Sequence, residues 1–129
     1  MLDLPQNPAR KAALLALSAA FVGVGVLHFA RPGFFRAIVP PGLPAPGALV
    51  AASGAAEVIG GLGVLPKRTR RLAGWGLVAL LVAVFPANLY MALDDARFGD
   101  IPAWMRWARL PLQLPIIGWA LWATRPDAP

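Results

Sequence analysis

The chain has 129 residues, 58% hydrophobic and only 14% charged, with a mean hydropathy of +0.62. A soluble domain keeps about a quarter of its residues charged, so this composition excludes most water-facing folds and points to an integral membrane protein. The net charge of +6 comes from basic residues flanking apolar stretches, which reads as topology and anionic lipid rather than as a nucleic-acid surface.

Residues 12–30 form the first charge-free stretch, after Pro8, Arg10 and Lys11 and before Arg31 and Pro32. Arg10 and Lys11 resemble the start of a signal peptide. Cleavage after Ala20 would leave too short an apolar core, and near Ala30 the residue at −3 would be His28, so the stretch reads as an uncleaved first span. Arg31 to Gly47 holds Pro32, Pro40, Pro41, Pro44 and Pro46, and so many missing backbone donors exclude a spanning helix there. Phe34, Phe35, Ile38 and Val39 recur at helical spacing beside Arg36, which predicts a short helix in the membrane interface.

The second span, residues 47–65, is rich in small residues, including Ser53, Gly54, Ala55, Ala56, Gly60, Gly61 and Gly63, and ends at Pro66 and the cluster Lys67, Arg68, Arg70, Arg71. The third, residues 72–93, is interrupted only by Pro86 and Asn88. Asp94 to Arg109 is charged and belongs in water or at the surface. The fourth is the weakest: Leu110–Thr124 falls short of the roughly 30 Å hydrocarbon core, so residues 106–124 are needed, with Arg106 and Arg109 snorkelling or facing a polar interior.

The expectation is one domain over residues 1–129: an all-α integral membrane four-helix bundle with a proline-rich outer loop and a short interfacial helix between spans one and two. Lys and Arg number seven on the side of the termini and second loop against five on the other, with four in the tight second loop. The positive-inside bias therefore puts both termini in the cytoplasm.

The polar residues within the spans carry the functional signal: His28, Glu57, Asn88, Arg109 and Gln113. Glu57 lies ten residues into its span, roughly 15 Å deep at 1.5 Å per residue. A carboxylate there costs about 2.5–3.5 kcal/mol on insertion scales, so it faces inward and is neutral or paired, with Arg109 and protonated His28 as the available partners. Taken alone, His28 reads as an interfacial histidine satisfied by a backbone carbonyl or a lipid headgroup, and Arg109 as a snorkelling anchor. Pro86 in span three and Pro111 and Pro115 in span four free backbone carbonyls, which serve either a packing kink or a pocket wall. Cysteine is absent, and one histidine with one glutamate is too few ligands for a zinc, copper or bis-histidine haem site, so neither metal nor haem is expected from this chain alone.

Several motifs in order resemble the DoxX-like family of small four-span bacterial membrane proteins: Leu27-His28-Phe29-Ala30-Arg31-Pro32, Ser53-Gly54-Ala55-Ala56-Glu57, Phe85-Pro86-Ala87-Asn88-Leu89-Tyr90, and Arg109-Leu110-Pro111-Leu112-Gln113. The resemblance implies a four-helix protein of the bacterial cytoplasmic membrane. Some relatives are associated with quinone-linked or other membrane redox assemblies, but the family has no uniform reaction, and no catalytic assignment comes with it. The expected function is a polar outer-leaflet pocket that binds a small lipophilic molecule, with quinone as the candidate, in or beside a redox pathway. Glu57 and His28 would exchange protons, and Asn88, Arg109, Gln113 and Tyr90 would bind the ligand. If the chain is an enzyme at all, it is a component of a quinone-linked oxidoreductase. The expected partners are the lipid bilayer, a second copy or other membrane redox subunits. The alternatives are a non-catalytic partner subunit docking through the small pair Ala56 and Gly60, and a small oligomeric transporter.

Overall fold

The computed structural model describes residues 2–127, which form helices, their connections and short segments at either end. Six helices follow in order: α1 Pro8–Ala30, α2 Pro32–Ala37, α3 Pro46–Gly63, α4 Lys67–Leu93, α5 Asp95–Phe98 and α6 Ala103–Ala123.

Three of the four long helices begin well before the point that hydropathy predicts, each time by taking in charged or interfacial residues. Asn7 caps α1 through its side chain, which accepts the Arg10 N–H at 3.1 Å, and Pro8 sits in the first turn where a missing donor costs nothing. α4 starts at Lys67, so the basic cluster forms its first turns rather than a loop. α6 starts at Ala103, behind Pro102. α3 instead ends two residues early, at Gly63, where the Thr69 hydroxyl donates to the Gly63 carbonyl at 2.6 Å. Pro86, Pro111 and Pro115 all lie inside continuous helices. The short helix expected between the first two spans forms as α2, one residue after α1 closes with the Arg31 N–H on the Leu27 carbonyl at 2.8 Å.

The long helices pack in a ring, α1 on α3, α3 on α4, α4 on α6 and α6 back on α1. The α1–α3 approach is the most intimate, and two glycines permit it. A Cβ built at Gly25 would stand 2.8 Å from the Gly54 carbonyl oxygen, and one at Gly54 would stand 2.6 Å from the His28 Cβ. Gly60, expected to form a docking surface with Ala56, turns inward: a Cβ there would meet Leu77 of α4 at 2.6 Å. Ala56 alone of that pair is exposed.

One core cluster lies towards the termini, built from Leu14, Leu17, Phe21, Val64, Leu77, Ala120 and Ala123. A smaller one at the opposite end joins Ile38, Met91 and Phe98. Large apolar side chains such as Ile59, Leu72 and Leu114 point outward with most of their surface exposed. α1, α3 and α4 are each long and apolar enough to cross a membrane.

Candidate functional site

The α1–α3 contact brings together two of the residues singled out in the sequence. Gly54 leaves the space into which the His28 side chain fits, and Glu57, three residues along the same helix, comes up beside the imidazole. His28 Nδ1 lies 3.3 Å from Glu57 Oε2, and both residues are buried, each with 7% of its surface exposed. Of the two partners expected for Glu57, the structure therefore selects His28. Arg109 lies elsewhere, on an exposed position of α6 with Nη1 3.8 Å from the Met91 sulfur.

The hydrogen bonding of the pair is lopsided. His28 Nδ1 is also 2.8 Å from the carbonyl of Val24, one turn earlier in α1. A carbonyl can only accept, so Nδ1 carries the hydrogen and directs it at the backbone. Glu57 Oε2 is left buried with no hydrogen-bond partner. A buried carboxyl oxygen in this state is costly to leave unpaired, so the site favours any change that supplies it with a proton or a donor. Among the described residues, His28 is the only charge partner Glu57 has.

An aromatic ring closes the pair from outside. Phe35 of α2 stacks on the His28 imidazole with centroids 3.8 Å apart and planes 19° from parallel. The same Phe35 lines an open groove of about 470 Å³ at the α1–α2 corner, together with Leu27, Arg31, Gly33 and Phe34. The groove is apolar apart from Arg31, and one ring separates it from the buried pair.

The other expected ligand-binding residues lie on α4 and α6. Tyr90 packs edge-to-face on Phe98, centroids 5.6 Å apart, and lines a second cavity. Asn88 and Gln113 are half-buried and make no side-chain hydrogen bond among the described residues. No hydrogen bond or ion pair joins any of these residues, or Arg109, to His28 or Glu57 among the described residues. Nor does any group of three or more His, Asp or Glu side chains there come together as a metal site requires.

Arg106, which the sequence presents only as a charge to be accommodated, is 3% exposed and fully engaged. It donates to the carbonyls of Met91, Ala92 and Ile101 at 3.1 Å each and to Asp95 Oδ1 at 2.7 Å. It thereby satisfies carbonyls that α4 leaves open at its C-terminus. The signal for this role in the sequence is the helix end itself, which needs donors that the intervening loop does not supply.

Fold and site together define an all-helical protein with three helices able to cross a membrane and a histidine–carboxylate pair buried between two of them. The family described as a domain of unknown function, DUF8561, matches residues 17–124, and the chain belongs to it. His28, Glu57, Asn88, Tyr90, Arg109 and Gln113 all fall within that match. No curated protein and no solved structure matches the chain.

Proposed function

We propose that this is a four-span protein of a bacterial cytoplasmic membrane, akin to the DoxX-like proteins, with both termini in the cytoplasm. Its outer half takes a small lipophilic molecule, a quinone in the leading version, into the groove at the α1–α2 corner, in or beside a membrane redox pathway. α6 is the fourth span. It runs from Ala103 to Ala123, and its 21 residues reach roughly 32 Å at 1.5 Å per residue, enough for a core of about 30 Å. Arg106 does not oppose that reading, because its donors are already taken up at the mouth of the bundle.

The observation that carries the reading is the buried His28–Glu57 pair with one unpartnered carboxyl oxygen behind an apolar groove. Arg31 at the groove offers a guanidinium to a carbonyl oxygen of the ligand. Displacement of the Phe35 ring opens the path to the imidazole. Protonated at Oε2, Glu57 then donates a hydrogen bond to a quinone carbonyl, and ionised it accepts one from a hydroxyl of the reduced, quinol form; either contact satisfies the buried oxygen while the ligand is bound.

The test is binding of a short-chain ubiquinone analogue to the detergent-purified protein. Glu57→Gln and His28→Gln are expected to weaken binding at least about tenfold while leaving the melting temperature close to that of the unsubstituted chain, since each loses a charge-capable contact to the ligand. Native affinity in both variants would overturn the proposal.

A further inference from the structure

The second cavity lies away from His28 and Glu57, between the proline-rich loop and the corner where α4 passes into α5. It measures about 320 Å³, and its polar walls are Arg36 of α2, Arg97 of α5 and Tyr90 of α4. Val39, Pro41 and Leu43 form its apolar side. No acidic residue lines it.

The carboxylates beside Arg97 in the chain are engaged elsewhere. Asp94 accepts the Arg97 backbone N–H at 3.1 Å and so caps α5, and Asp95 pairs with Arg106 at 2.7 Å. Neither the Arg36 nor the Arg97 guanidinium forms an ion pair among the described residues. Arg97 lies with its Cζ 5.9 Å from the Phe98 ring centroid, and Tyr90 packs edge-to-face with the same ring. Phe98 is thus a shared support for two of the three polar walls. Arg36 lies across Gly47, where a Cβ would come within 2.8 Å of Nη2, so the missing side chain at 47 makes room for the guanidinium.

We propose that this cleft binds a phosphate monoester, held between the Arg36 and Arg97 guanidiniums with the Tyr90 hydroxyl as a neutral donor. Two cations of fixed charge match the roughly −1.5 to −2 charge of a monoester at neutral pH, whereas a carboxylate would balance only one of them. The planar donor forks of arginine fit phosphate oxygens in pairs. The prolines and Leu43 supply an apolar wall against which the organic part of the ester lies. The same chemistry comes either from the headgroup of a lipid with a terminal phosphate or from a soluble phosphate ester.

Calorimetric titration of the detergent-purified full chain with dihexanoyl phosphatidic acid, with inorganic phosphate and with dihexanoyl phosphatidylcholine separates these sources. Binding of the phosphatidic acid but not of inorganic phosphate identifies a lipid ligand; comparable binding of both identifies a soluble one. Either result supports the site, provided that Arg36→Gln and Arg97→Gln each weaken binding by about tenfold, as loss of a charge-assisted pair implies. Gly47→Ala, which pushes the Arg36 guanidinium aside, is expected to weaken it a few-fold. Arg68→Gln, at an exposed arginine of the opposite end, and Glu57→Gln should both leave it unchanged. The proposal is overturned if no phosphate probe binds, if phosphatidylcholine binds as well as phosphatidic acid, or if Arg68→Gln costs as much affinity as Arg36→Gln.

Discussion

The two ends of the bundle are built from similar residues put to different uses. Where the termini meet, arginines are consumed in holding the chain together. Arg70 donates to the carbonyls of Leu2, Asp3, Val64 and Leu65, Arg71 to that of Leu121 at 3.0 Å, and Arg10 to the carbonyl of Arg125 and to Asp127. Trp119 adds a bond to the Ala13 carbonyl at 2.9 Å. At the opposite end Arg106 alone does this work, and Arg31, Arg36 and Arg97 stand beside cavities. The number of basic residues at an end therefore says little about its role. What separates a structural arginine from one free to meet a ligand is whether backbone carbonyls lie within its reach.

Replacing two of the three buried arginines tests this most severely. Arg70→Met strands several buried carbonyls at once, and a loss of about 3 kcal/mol in unfolding free energy is expected in detergent. Arg106→Met should cost a comparable amount. Denaturant titration of both variants beside Arg97→Met, for which almost no loss is expected, checks the contrast. A large loss in Arg97→Met would show that the arginines beside the cavities are structural too.

Glycines give the next smaller effect. Gly54→Ala places a methyl group 2.6 Å from the His28 Cβ, and both atoms are fixed to helix backbones, so α1 and α3 must separate at a cost of about 1–3 kcal/mol. A methyl group added at Gly76 in α4 would meet nothing within 4 Å, and Gly76→Ala should instead stabilise the helix by up to about 1 kcal/mol. Opposite signs in the two melting-temperature shifts are the expected outcome.

These residues also show what is legible in the sequence. Three of the four long helices can be read from apolar length and the fourth only by admitting Arg106 and Arg109 to it, and hydropathy still starts α1, α4 and α6 late, because it counts charged residues towards water. Arg10, Arg70 and Arg106 sit inside helices and are buried by finding carbonyls, a partnership that depends on tertiary contacts. His28 and Glu57 stand out as ionisable groups in apolar surroundings. Choosing His28 over Arg109 as the partner needs the α1–α3 crossing point, which Gly25 and Gly54 mark, and a small-residue pattern does not say which neighbour it faces. Gly60 makes the same point, since it packs on Leu77 of α4.

The smallest expected effect lies at the terminal end and depends on pH. The hydrogen bond from Arg10, with the charges of Arg10, Lys67 and Arg70 behind it, holds the Asp127 carboxyl below its ordinary value. A carboxyl that is more acidic folded than unfolded stabilises the fold when both forms are ionised. That contribution is complete above the ordinary carboxylate range and is lost as pH falls through the lowered folded value. Asp127 is exposed, so solvent screens the pair and the effect is modest. Melting temperatures of the native chain and Asp127→Asn should differ slightly at neutral pH and converge on acidification. A constant difference would mean that the carboxylate contributes nothing to the closure of this end and that Arg10 is held by the Arg125 carbonyl alone.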